Sequence, residues 1–390
     1  MTRKVETVTV PFHVAAVGEE EVQAAAEVIR SGWLTMGMRT LEFERQFAAY
    51  VGARHAIAVA SGTAALHLAL EAADIKAGDE VLVPVTTFTA TGEVVCYMGA
   101  KPVLVDVQPG SMNLDCKDAA RRITRRTRAI IPVHLAGVPC DMEEIHALAS
   151  EYNLHVVEDA AHALPASYRG QRVGTLSETS AFSFYATKTL TTGEGGMLTT
   201  DDDKIAERVR IMRLHGIERD AWKRYSNEGS WFYQVLAAGF KYNMTDIEAA
   251  IGLVQLGKCD ELAAARQRIA SRYFTAFSAI PALEMPASYS DRQSSWHLYV
   301  LRLHLEKLSI NRDHFISELK DRGISTSVHF IPLHLHPFYQ TAFGHREGEF
   351  PQAEAQYARA LSLPIYPTMT DVEIEAVIAA VSNVARTFLR

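Results

Sequence analysis

Between residues 56 and 158 the chain repeats one unit: a short apolar run, a turn, a helical stretch and another apolar run. The runs fall at 56–60, 80–84, 101–107, 128–135 and 154–158, and helices are expected from Thr63, after Phe88, near 114–123 and over 142–152. Strands that are apolar on both faces and alternate with helices form a mostly parallel sheet covered on both sides. The expected fold class is therefore α/β, and ligands of such a sheet bind beyond the carboxyl ends of its strands.

Four strand ends carry polar residues. After 56–60 comes Ser61-Gly62-Thr63-Ala64-Ala65, in which Ser or Thr caps a helix and Gly lets a ligand approach the backbone. Free amides at a helix N-terminus suit a phosphate; a plain N-cap is the competing reading, and the Gly-Lys-Ser/Thr ending of a triphosphate loop is missing. After 80–84, Phe88 either lies on a planar ring or packs into the core. After 154–158, Asp159 stands at the sheet mouth with His162 beyond it, and a buried acid there requires a cation or a protonated nitrogen. Finally, Lys188 follows a strand of small and aromatic residues at 181–185 and precedes a glycine-rich turn and a strand over 196–200. Glu194 is the only charged residue near it in sequence. Lys188 therefore reads either as a loop cap or as a desolvated amine of lowered pKa, the form that attacks a carbonyl.

The remainder is divided between two units. A large domain is expected over 1–260, with an N-terminal segment over 1–50 whose first helix, 18–30, stops at Gly32. A smaller α+β domain is expected over 261–390, reached through a linking helix at 261–279. It contains strands at 296–303 and 324–330, a helix at 313–321 and a C-terminal helix at 371–388. Thr245 with Glu248, and Thr370 with Glu373, have the spacing of capping boxes. Residues 217–238 read as a long loop.

The net charge of −7 argues against a nucleic-acid binder, and the basic run at 121–128 reads as a solvated helix end. Cys96, Cys116, Cys140 and Cys259 show no metal or redox spacing. His329, His334 and His336 are separated by Pro332, and Pro337 follows, so no metal site is expected. No apolar run is long enough to span a bilayer, and Arg3, Lys4 and Glu6 do not open a secretory signal. A cytoplasmic location is the expectation.

The strand ends combine into an amide nest, an aromatic, a carboxylate and a lysine, the groups complementary to pyridoxal 5′-phosphate (PLP). The sequence resembles the DegT/DnrJ/EryC1/StrS sugar aminotransferases, within the fold type I PLP enzymes, over nearly its whole length. The resemblance is carried by Gly32-Trp-Leu-Thr-Met-Gly37, Ser61-Gly-Thr-Ala-Ala65, Glu158-Asp-Ala-Ala-His162, Ser183-Phe-Tyr-Ala-Thr-Lys188, Gly193-Glu-Gly-Gly196, Lys241-Tyr-Asn-Met-Thr-Asp246 and Ser327-Val-His-Phe-Ile-Pro332.

What it implies is specific. Lys188 would bind the cofactor's aldehyde covalently, and Asp159 would keep its pyridine nitrogen protonated. Phe88 would stack on the ring, and His162 would face its phenolic oxygen. Gly62, Thr63 and Ser183 would hold the phosphate. Thr35, Met36, His215 and His329 would lie on the substrate side. Lys241 or Asn243 would reach the cofactor of a second subunit, giving a homodimer with composite sites; many relatives read Asn-Tyr-Arg where this chain has Lys241-Tyr242-Asn243. The implied reaction moves an amino group from an amino acid, L-glutamate by analogy, to a nucleotide-linked keto sugar at C4. The alternatives are amination at C3, a dehydratase of the same family and a non-catalytic regulator.

Overall fold

The computed structural model describes residues 8–218 and 232–390. Two helices, α1 (Glu19–Ser31) and α2 (Met38–Val51), precede the repeating unit, and each ends on a glycine of positive φ, Gly32 at 77° and Gly52 at 89°. The unit itself supplies β1 (His55–Val59), α3 (Gly62–Ala72), β2 (Glu80–Pro84), α4 (Ala90–Tyr97), β3 (Lys101–Val105), α5 (Cys116–Arg122), β4 (Thr127–Ile130), α6 (Met142–Tyr152) and β5 (His155–Asp159). A short hairpin, β6 (Ser167–Tyr168) and β7 (Gln171–Arg172), leads to β8 (Thr179–Ser183), β9 (Gly196–Thr200) and α7 (Asp203–Met212).

Seven strands form one sheet in the order β1-β9-β8-β5-β4-β2-β3. The β8-β5-β4-β2-β3 run is parallel, and β9 is antiparallel to both neighbours. Because β9 runs backwards, β1 points the same way as β8 and β5. The carboxyl ends of β1, β5 and β8 therefore open on one side of the sheet, which is where the candidate residues had been expected. All five residues of β2 are buried, as a central parallel strand requires.

The strand expected over 128–135 is shorter. Pro132 offers no N–H for the ladder, and beyond Ile130 the chain keeps one bond to β2, from the Ile131 N–H to Leu82 O at 2.9 Å, and a bridge from Val133 to Asp159. The loop expected over 217–238 lies partly outside the described residues, at 219–231.

Helix α8 (Asp246–Gly257) has the expected capping box, with the Glu248 N–H donating to Thr245 Oγ1 at 3.3 Å and the Thr245 N–H to Glu248 Oε2 at 2.8 Å. Helix α9 (Cys259–Phe277) follows after a single residue and leads into a second core. There β10 (Leu283–Glu284), β12 (Tyr299–Leu303) and β13 (Ala360–Leu363) form an antiparallel sheet against α10 (Arg312–Asp321) and α13 (Asp371–Thr387). The intervening β11 (Arg292–Gln293) pairs instead with β6. Helices α11 (Pro337–Phe343) and α12 (Pro351–Arg359) complete the chain, and Tyr339, Phe350 and Ala353 pack back into the first core.

Residues 324–330 are not the expected strand. The buried β13 takes the place beside β12, while 324–330 makes single bridges, Ile324 to Val10 and Ser327 to Ser362, and then turns away from the sheet. Its polar run Ser325-Thr326-Ser327 does not offer the apolar face that a sheet position needs.

Candidate active site

At the carboxyl ends of β1, β5 and β8 lies a cavity of about 550 Å³ whose wall includes Gly62, Thr63, Phe88, Asp159, His162, Ser183, Lys188 and His329. Residues scattered over more than 260 positions of the chain thus meet in one space.

Each is set there by local chemistry. Ser61 caps α3, its Oγ accepting the Ala64 N–H at 3.0 Å. The Gly62 and Thr63 amides begin the helix and have no acceptor among the described residues. Two glycines make this approach possible. A Cβ on Gly62 would fall 2.8 Å from Ser183 Cβ, and one on Gly196 would fall 2.4 Å from the Ser61 carbonyl. Only bare backbone lets α3, β8 and β9 close around the amides.

Asp159 ends β5 and is 6% exposed. Thr91 Oγ1 donates to its Oδ2 at 2.8 Å and the Ala161 N–H to its Oδ1 at 3.1 Å. Burial pushes its pKa up, against these bonds and the pull of the Lys188 charge. Burial likewise pushes the Lys188 amine down, to about 8, with Asp159 opposing the shift. The charge that acts on Lys188 is thus Asp159 rather than Glu194, its neighbour in sequence.

His162 Nδ1 accepts the Ala136 N–H at 3.3 Å, which places the ring's own proton on Nε2. Its pKa is driven well down by burial, then by the charges of Lys188 and His329. Phe88 remains 57% exposed at the cavity mouth, where a planar ring would cover it. His329 Nδ1 is 2.9 Å from Ser362 Oγ, and burial followed by the Lys188 charge lowers its pKa to about 4.

Thr35, Met36, His215, Lys241 and Asn243 do not line this cavity. The 33–37 loop is bound to α8, with Asp246 Oδ1 accepting the Gly37 N–H at 2.8 Å and the Thr40 N–H at 2.9 Å. Lys241 and Asn243 hydrogen-bond to each other, and Asn243 bridges Val59. The cavity also contains Phe12, His13, Thr87 and His297, which lie outside the quoted motifs, and Tyr185 and Phe330, which lie within them but were given no role. His297 packs on His162 with centroids 4.3 Å apart. Thr87 and Thr91, 2.7 Å apart, stand at a four-residue spacing that a search for helix-start hydroxyls would have found.

The sequence model of the DegT/DnrJ/EryC1/StrS aminotransferase family matches residues 15–382. The chain belongs to this family. It is 51% identical over 374 residues to the uncharacterized protein MJ1066 of Methanocaldococcus jannaschii, covering 96% of this chain and 97% of that one. It is 47% identical over 377 residues to the spore coat polysaccharide biosynthesis protein SpsC of Bacillus subtilis, with the same coverage. Among solved structures it matches the PLP form of Spr1654 from Streptococcus pneumoniae, assigned as a sugar aminotransferase, at a TM-score of 0.91 and 32% identity, over 98% of this chain and all of that one. As a DegT/DnrJ/EryC1/StrS protein the chain has the fold type I architecture and is a PLP-dependent enzyme of transaminase type. The cavity fits the cofactor on its own chemistry, with unclaimed amides for a phosphate, a buried acid for a ring nitrogen, an uncovered aromatic for the ring and an amine of lowered pKa for an aldehyde.

Proposed function

We propose that this enzyme transfers the amino group of L-glutamate, by way of PLP, to C4 of a nucleotide-linked keto sugar, yielding an amino sugar nucleotide. The observation that carries the reading is the pairing of Lys188 and Asp159 across one cavity, one group pushed toward its neutral form and the other requiring a protonated partner. Support for a sugar acceptor comes from the family and from SpsC, whose role is in polysaccharide biosynthesis.

In this reading the Gly62 and Thr63 amides and Ser183 anchor the phosphate. Asp159, held by Thr91, faces the pyridine nitrogen. PLP supplies an electron sink for charge developing at the donor's α-carbon. Lys188 Nζ, once released, would take the proton from the donor's α-carbon and deliver it to the cofactor's C4′, and in the second half would carry a proton from C4′ to the sugar carbon. His162 presents an Nε2 donor, and His329 stands on the substrate side. Lys241, Asn243 and the 33–37 loop act toward a second copy of the chain, completing its site; the exposed Leu34 and Met38 beside that loop suit such an interface. A dehydratase is disfavoured because such relatives carry His where this chain has Lys188, and a DNA-binding regulator because of the net charge of −7.

The test is spectroscopic. Purified protein should show a visible band that glutamate bleaches and that a UDP-, dTDP- or GDP-4-keto sugar restores. Lys188→Ala should lose both band and turnover. Unchanged turnover in that variant, or recovery of the band only with free 2-oxo acids, would overturn the proposal.

A further inference from the structure

Residues 9–18 precede or only just enter the region matched by the family, yet they cross the cavity. At one end Val10 is fully buried in the second core. Its N–H donates to Gly323 O at 2.8 Å and its carbonyl accepts the Ser325 N–H at 3.0 Å. At the other end Gln255 Nε2 of α8 donates to Ala16 O at 2.8 Å, and the Gly18 N–H donates to Glu21 Oε2 at 2.8 Å. The segment is therefore tied at one end to the second core and at the other to α8 and the start of α1. Between the ties, Phe12 and His13 form part of the cavity wall. Phe12 stacks on His329, with centroids 5.5 Å apart and planes at 23°. His13 Nε2 lies 3.2 Å from the Ala186 carbonyl, and its ring stands edge-on to Tyr366 of the second core at 6.4 Å. A carbonyl only accepts, so Nε2 carries the proton.

Ala186 lies two residues before Lys188. The lysine turn closes on itself through the Lys188 N–H to Tyr185 O, 2.9 Å, and a bridge from Tyr185 to Gly193. Those contacts shape the turn but do not set where it sits relative to the second core. The His13 bond does, from 173 residues away.

We propose that residues 9–17 are a built wall of the active site and that His13 is a positioning residue for Lys188, holding the turn that carries it by donating Nε2–H to the Ala186 carbonyl. The inference rests on Lys188 as the cofactor-bearing residue. Releasing the turn lets water reach the Lys188 nitrogen and misplaces it against the reacting carbon, and small misplacements of this kind cost up to about a hundredfold in rate.

The experiment compares His13→Ala and His13→Gln holoenzymes, the glutamine keeping an N–H donor at similar reach. In His13→Ala the pH midpoint of the visible band is expected to rise by about half a unit or more, because water stabilises the cationic form. Its kcat is expected to fall about tenfold while KM for the sugar changes less than about threefold, as for a contact that orients rather than binds. His13→Gln should restore midpoint and kcat. If His13→Ala does not fold, His13→Met, of similar length without the donor, takes its place. A variant that lowers only Tm, with band midpoint and kcat unchanged, would overturn the proposal, as would a His13→Gln enzyme as impaired as the alanine variant. Failure of the Lys188 assignment is separate: it shows as a band that persists in Lys188→Ala, whatever His13 does.

Discussion

A lysine of ordinary pKa near 10.5 is neutral in only about three molecules in ten thousand at pH 7. At about 8, Lys188 is neutral in roughly one in ten. Burial thus raises the reactive fraction some hundreds-fold before any catalytic contact is made, and no neighbouring cation is needed. Asp159 is the counterpart, since its raised pKa makes it an unfavourable buried anion unless a proton-bearing nitrogen faces it. Replacing Asp159 with Asn removes that requirement while keeping the Thr91 contact. The expected result is a fall in kcat of about 10² to 10³-fold, the scale of losing one preorganised electrostatic partner, with the visible band retained. Steady-state kinetics beside an absorbance spectrum would check it. Both residues were legible in the sequence because each stands at or just past the carboxyl end of an expected strand. His13 and His297 were not, because nothing local marks a side chain whose partners lie far along the chain.

At the scale of elements, the phosphate cradle depends on close approach more than on side chains. The Gly196 position on β9 has no room for a methyl group, which would press on the Ser61 carbonyl at 2.4 Å. Gly196→Ala is expected to cost about 1 to 3 kcal/mol of stability, the usual cost of overpacking a tight site, and to weaken PLP binding by displacing the α3 amides. Denaturant midpoints of the apoprotein and a PLP titration measure the two effects separately. Capping boxes at α8 and α13 were readable from residue identities three apart, because they are local hydrogen bonds. The misread elements are the ones whose assignment depends on competition. Residues 324–330 and 360–363 are both short runs that mix apolar residues with serine, and which of them lies beside β12 is settled by burial across the whole second core.

Across the whole molecule, two cores meet at a cavity ringed by imidazoles held neutral. His13, His329, His162 and His297 all have pKa values pushed down by burial, the first two to about 4. The unfolded chain binds protons at these positions below about pH 6.5 that the folded chain does not, so stability is lost as pH falls from there toward 4. Asp159, with its pKa raised, opposes the trend as a single group against four. Each ring contributes a slope of up to about 1.4 kcal/mol per pH unit inside that window. A falling Tm between pH 7 and 5 is expected for the apoprotein, and His297→Phe should flatten it, since His297 Nδ1 has no partner to lose. A Tm that is level over this range would contradict the burial of these rings. The order of strands and helices, the polar residues at their ends and the helix caps follow from the chain's own pattern, because each depends on neighbours within a few positions. Which strand runs backwards, which run fills the second sheet, and how Phe12 and His13 come to line the cavity depend on burial shared among distant segments. No window of sequence carries that information.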